Sequence, residues 1–183
     1  ARARHGIDGD YLLFVGTIEP RKNLARLIEA HAALGERVPQ LIVAGAAGWG
    51  DAPAHAHGAR VRFLGFVPEV DLAALYSGAT AVCYPSIREG FGLPIVEAMA
   101  HGTPVVTSAG GATEEVAGGA AVLVDPHDVA SIADGVLRAI EQRDALSSRS
   151  RERAARLTWR RAAELTREVY REAIEDSQRM DRR

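Results

Sequence analysis

Two glutamates, Glu89 and Glu97, bracket the run Gly90-Phe91-Gly92-Leu93-Pro94-Ile95-Val96. The glycines on either side of Phe91 leave a bare backbone that a ligand can approach closely. Pro94 suits the first turn of a helix, where its missing N–H would have no partner in any case. The amides of Phe91, Gly92 and Leu93 then sit ahead of that helix, aimed outward, and make an anion site. Glu97 falls one turn inside, roughly 6 Å from the start by the helical rise, and its side chain leans back toward it. A carboxylate there can accept hydrogen bonds from a diol, such as the two hydroxyls of a ribose, while a diphosphate occupies the helix tip. Glu89 reaches the same ligand from the other side. Each acid also has a plainer reading: Glu97 offsets the helix dipole, and Glu89 pairs with Arg88 or solvent.

A second group lies upstream, in Gly16-Thr17-Ile18-Glu19-Pro20-Arg21-Lys22-Asn23. Two cations at the start of a helix oppose its dipole by a few tenths of a kcal/mol each. An anion bound between Arg21 and Lys22 removes that conflict, because side chains and free amides then face the same negative charge. The alternative is a solvated basic pair that points away from the helix end.

These groups need a scaffold that brings two loops together. Short apolar runs alternate with longer segments of helical period, the pattern of a parallel sheet built from strand-helix units. Strands are expected over 11–15, 41–44, 61–64, 79–83, 105–107 and 121–124. Their short, continuously apolar character implies a sheet covered by helices on both faces. Asn23 is expected to cap a helix carrying Leu24, Leu27, Ile28, His31 and Leu34 on one stripe and stopped by Gly35. Further helices are expected over 71–76, from Pro94 to about Ala100, and over 128–141, 145–157 and 159–174. In such a sheet, ligands bind beyond the carboxyl ends of the strands, where both loops would lie. The fold class is therefore α/β, a Rossmann-like parallel sheet of about six strands. It forms one domain over 1–175, and the tail 176–183 frays because it has little to bury.

Composition narrows the function. The net charge of -2 over 183 residues gives no basic face for general nucleic-acid binding. The arginine-rich stretch 149–161 carries interspersed glutamates and apolar positions, as a solvated helix face does. Cys83 has no partner for an intrachain disulfide and lies in an apolar run, which fits a buried thiol and a cytoplasmic protein. No apolar stretch approaches the ~20 residues of a membrane span, and peripheral contact at the inner face of a membrane stays open. His55, His57, His101 and His127 lack the ligand spacing of a metal site, so no metal is expected. Thr113 is a candidate cap for a helix beginning near Glu114-Glu115. The segment 46–58 reads as a surface loop.

The ordered segments together resemble the retaining GT-B glycosyltransferases of family 4. Glu89-Gly90-Phe91-Gly92-Leu93-Pro94-Ile95-Val96-Glu97 carries the resemblance, continued by His101-Gly102-Thr103-Pro104-Val105-Val106. It is supported by Phe14 through Leu24, by Phe63-Leu64-Gly65-Phe66-Val67-Pro68, and by Leu123-Val124-Asp125-Pro126. The resemblance spans roughly 11–175 and implies a C-terminal, donor-binding half of such an enzyme. The chain then binds a nucleoside-diphosphate sugar, GDP- or UDP-linked, as donor substrate and needs no other cofactor. The residue roles that follow are Lys22 on the diphosphate with Arg21 assisting, Glu89 near the transferred sugar and Glu97 on the ribose. Gly16, Thr17 and the backbone of Gly90, Phe91, Gly92 and Leu93 line the donor, and Phe66-Val67 holds the base. Thr17 departs from the pattern, because many relatives carry arginine there.

The expected reaction is hexosyl transfer with retention, mannosyl by preference, to a glycan, lipid or small-molecule acceptor. The acceptor would be bound by an N-terminal domain missing from this chain, so the chain alone is expected to transfer little. Two other readings stay open: a nucleotide-sugar 2-epimerase or phosphorylase of GT-B architecture, and a non-catalytic nucleotide-binding domain.

Overall fold

The computed structural model of the chain describes residues 1–49 and 60–180. His55, His57 and most of the loop expected over 46–58 lie outside them. Six parallel strands form one sheet: β1 (Tyr11–Val15), β2 (Gln40–Ala44), β3 (Val61–Gly65), β4 (Ala81–Tyr84), β5 (Val105–Ser108) and β6 (Val122–Val124). Their spatial order is β3-β2-β1-β4-β5-β6. The order runs outward from β1 in one direction and from β4 in the other. The loops leaving β1 and β4 therefore diverge to opposite sides and open a crevice between them.

The helices are α1 (Leu24–Leu34), α2 (Glu69–Gly78), α3 (Leu93–Ala100), α4 (Gly111–Ala117), α5 (Val129–Glu141), α6 (Arg143–Ala154) and α7 (Trp159–Met180). Strand alternation sends Leu12, Phe14, Leu41 and Val43 to one face, where Leu27 and Ile28 of α1 and Ile132 and Val136 of α5 cover them. Leu13, Val15, Ile42 and Val82 point the other way and meet Leu75 and Tyr76 of α2, Ile95 and Met99 of α3, Val116 of α4 and Ala154 of α6. Helices thus lie on both faces, as the short apolar strands required.

Several expectations need correction. Asn23 stands at the start of α1 but makes no side-chain cap there, since its backbone is left-handed with φ 60 and ψ 28. Thr113 is not a cap either. Gly110 holds that position, its amide bonds Oε2 of Glu114 at 2.6 Å, and Thr113 Oγ1 donates to Ser108 O at 3.0 Å. The fourth strand starts at Ala81 because α2 continues to Gly78 and Ala79 closes it by donating to Tyr76 O at 3.2 Å. β3, at the sheet edge, is only partly covered: Arg62 and Phe63 are exposed, while Val61 and Leu64 pack against the two cores. Within the expected tail, α7 continues to Met180, and 181–183 lie outside the described residues. Part of the basic stretch is anchored rather than solvated, since Arg153 donates to Val116 O and Glu115 O at 2.9 and 2.7 Å and holds the end of α4.

Candidate functional site at the sheet crossover

The crevice between β1 and β4 gathers the two sequence groups. After β1 the chain makes a short 3-10 turn, Pro20–Lys22, which aims Lys22 inward instead of along the start of α1. Its ammonium lies 2.7 Å from Glu89 Oε1, with both side chains more than nine-tenths buried. Arg21 reaches the other oxygen of the same carboxylate, Nη1 to Oε2 at 2.9 Å, while its Nε pairs with Glu19 at 2.8 Å. The two loops are also joined by backbone, Ile87 N donating to Arg21 O at 2.8 Å. Lys22 is therefore no solvated residue. Two cations converge on one carboxylate at the point where the strand order reverses.

The charges on Glu89 follow from this setting. Burial works against ionising it, but the Lys22 ammonium, as hydrogen-bond donor and as charge, outweighs that, with help from the Tyr84 hydroxyl. The Glu89 carboxyl consequently titrates below its ordinary range. Burial acts against the charge on Arg21 too, and Glu89 and Glu19 reverse it, leaving the guanidinium more firmly protonated.

Sequence reasoning missed the roles of three side chains that hold this arrangement. Tyr84, the last residue of β4, donates to Glu89 Oε1 at 3.0 Å and accepts from the Lys22 ammonium, which also lies 4.7 Å from the centre of its ring. Tyr76 of α2 donates to Glu97 Oε2 at 2.8 Å. Asn23, only 3% exposed, donates through Nδ2 to Pro85 O at 2.9 Å and Pro126 O at 2.6 Å. It ties the loops after β1, β4 and β6 into one surface. The available signal was Asn in a loop-to-helix junction, a residue type that tolerates left-handed backbone. The two tyrosines gave none, because buried aromatics usually signify packing.

The other expected positions divide by place. Gly16 lies beside Lys22, where a Cβ would meet Cε at an ordinary contact distance of 3.6 Å, and its φ of 147 is what favours glycine. Thr17 is exposed beside Gly48. Gly92 precedes α3 at φ 103, a conformation that strongly favours glycine, and Pro94 occupies the first turn as expected. Gly90, Phe91 and Leu93 are exposed, as is Glu97 on α3. Phe66 is 77% exposed just beyond β3, whereas Val67 is buried against the core. Gly45 N donates to Gly65 O at 2.8 Å and Gly16 N to Ala44 O at 3.0 Å, so the loops after β1, β2 and β3 stand in a row along one edge.

Glu89 also lines a cleft of about 490 Å³, together with Ser86, Arg88, Gly110, Thr113, Asp125 and His127 among others. Cys83 is fully buried, and burial alone pushes its thiol up to about 12, as an inert core residue requires. His101 stacks on Tyr76 with ring centres 5.9 Å apart. Among the described residues no helix is long and apolar enough to cross a membrane.

Comparison with known proteins bears on this geometry. Residues 1–157 match the sequence model of glycosyl transferases group 1. O-antigen chain mannosyltransferase B of Escherichia coli is 38% identical over 87% of this chain and 45% of that protein. A D-inositol 3-phosphate glycosyltransferase of a Nocardioides species is 38% identical over 94% of this chain and 44% of its own length. Among solved structures, sucrose-phosphate synthase from Thermosynechococcus elongatus superimposes with a TM-score of 0.80 at 28% identity, over 96% of this chain and 48% of that one. Anabaena Alr3699/HepE in complex with UDP-glucose gives 0.72 at 26% identity, over 84% and 45%. The chain spans about half the length of the curated relatives it matches. Its sheet has the Rossmann-like form of the GT-B glycosyltransferases, and the chain belongs to the family glycosyl transferases group 1.

Proposed function

We propose that this chain is the C-terminal, donor-binding half of a retaining, family 4 glycosyltransferase and holds a nucleoside-diphosphate sugar at the β1/β4 crossover. One observation carries the reading: Arg21 and Lys22, from one loop, grip the two oxygens of a single carboxylate from the other loop. A pair of cations set to hold a carboxylate on a crevice floor is equally suited to the oxygens of a diphosphate. As a sugar leaves, negative charge builds on that diphosphate, and the two cations, once exchanged from Glu89 to the bound donor, stabilise it. In this reading Glu89 turns to the transferred sugar, Glu97 holds the ribose and the backbone of Gly90, Phe91, Gly92 and Leu93 meets phosphate and sugar. Gly16 permits close approach, Thr17 flanks the phosphates, and Phe66-Val67 contacts the base.

The donor is a UDP- or GDP-linked hexose. UDP-glucose in the Anabaena relative supports the first, and the mannosyltransferase name of the Escherichia coli relative supports a mannosyl donor. The acceptor and the second, N-terminal domain that binds it belong to the part of the relatives that this chain does not span. We place the enzyme in the cytoplasm, with peripheral membrane contact available to it.

The test is a thermal-shift panel of UDP, GDP and ADP on the chain and on Lys22→Ala. Selective binding at a hundredfold excess over Kd stabilises by about 2.7 kcal/mol and raises the Tm accordingly. Lys22→Ala is expected to weaken the preferred nucleotide at least ~10-fold. Unchanged affinity in that variant would remove the diphosphate from this corner and favour a non-catalytic domain.

A further inference from the structure

We propose that Tyr76 is a positioning residue for the ribose: its phenol fixes the Glu97 carboxylate so that the site distinguishes ribonucleotides from deoxyribonucleotides. The inference rests on the donor-site reading and deepens it. Glu97 is exposed on α3 and has a long side chain with many rotamers. Left free, it would lose that freedom each time it met a diol, and the loss would weaken binding. Tyr76 O–H donates to Oε2 at 2.8 Å, so one oxygen is held and Oε1 stays available to accept from the hydroxyls.

Tyr76 is itself held from three sides. The residue is 2% exposed in the core between α2 and α3. Its ring lies against the His101 imidazole, 12° from parallel. Its backbone carbonyl accepts from Thr103 Oγ1 at 2.7 Å, and His101 Nδ1 lies 2.9 Å from Ser77 Oγ. A hydroxyl delivered by so constrained a ring is a fixed point, which is what a ligand-orienting second layer needs. Burial and the neighbouring Glu97 charge keep the phenol protonated, so it remains a donor. The other acid of the pair has a matching support in Tyr84. The aromatic core thus reaches each glutamate through one hydroxyl.

Calorimetric titration separates this role from simple packing. The ligands are UDP and GDP and their 2′,3′-dideoxy counterparts; the proteins are wild type, Tyr76→Phe, Glu97→Gln and the double variant. Phe keeps the ring and removes only the donor. Tyr76→Phe is expected to raise the Kd of the preferred ribonucleotide about tenfold, the effect of one hydrogen bond to a charged group. Its Kd for the dideoxy form should stay within twofold, and the double variant should bind no more weakly than Glu97→Gln. Equal losses for ribo and dideoxy ligands in Tyr76→Phe would mark a structural role and overturn the proposal. So would no loss at all in that variant while Glu97→Gln is impaired. If Glu97→Gln itself retained full ribose discrimination, the assignment of Glu97 would fail first, and that outcome is distinct from the other two.

Discussion

Lys22, Glu89 and Tyr84 form a closed chain of donors and acceptors in which the ammonium reaches the carboxylate both directly and through the phenol. Because Glu89 titrates below its ordinary range, the unfolded chain takes up a proton at higher pH than the folded one. The stability drawn from this pair is complete above the unfolded value, about pH 4.3, and is lost as pH falls through the lower native value. Glu89→Gln should therefore destabilise the protein by roughly 1–3 kcal/mol at neutral pH. Urea titrations from pH 7 to pH 3 should show the gap between variant and wild type closing only on the acid side. A gap independent of pH would show that the pair is not the source. The same substitution removes the acid assigned to the transferred sugar, so transfer in the complete enzyme is expected to fall with it.

At the scale of elements, Asn23 decides how three loops meet. Its amide satisfies two carbonyls, Pro85 O and Pro126 O, while its oxygen accepts from Arg26 at 2.9 Å. Asn23→Ala loses these bonds and leaves at φ 60 a residue without the polar side chain that eases the left-handed conformation, which then costs roughly 1–2 kcal/mol. Adding the stranded carbonyls, a total of about 2–4 kcal/mol is expected by chemical denaturation. Asn23→Gly should recover the backbone part but not the clamp. If the two variants proved equally unstable, the left-handed backbone would contribute nothing. If Asn23→Gly matched wild type in nucleotide affinity, the loops would not depend on the clamp.

At the scale of the whole molecule, the last helix stands apart from the core. The long α7 leaves Trp159, Val169, Tyr170 and Ile174 exposed. Its first turns border an apolar hollow of about 440 Å³ shared with Phe91, Leu93 and Val96. Transfer requires an acceptor positioned against the donor and water kept out, and each condition is worth orders of magnitude in rate. The 183-residue chain is therefore expected to bind nucleotide but to transfer sugar at least ~10³-fold more slowly than the complete enzyme. A radiolabelled donor assay over a panel of acceptors checks this. Full-rate transfer by the chain alone would contradict the two-domain reading.

What the sequence determined by itself was the element pattern and the two segments that meet at the sheet crossover. Apolar periodicity is a local property, so all six strands and the start of α3 at Pro94 were legible within a residue or two. Glycines around Phe91 and the pair Arg21-Lys22 were legible because each departs from a local preference, and in the fold the cations meet Glu89 and Glu19. Tertiary structure decided the rest. Whether Lys22 faced solvent or Glu89 depended on a 3-10 turn and on strand order, neither of which is encoded in spacing. Gly45 shows the same limit: a Cβ on it would lie 1.9 Å from Gly16 O, a constraint that exists only once β1 and β2 are paired. Tyr76 and Tyr84 read as packing in one dimension, because the carboxylates that accept their hydroxyls come from other parts of the fold, 21 residues away in the case of Tyr76 and around a turn in the case of Tyr84.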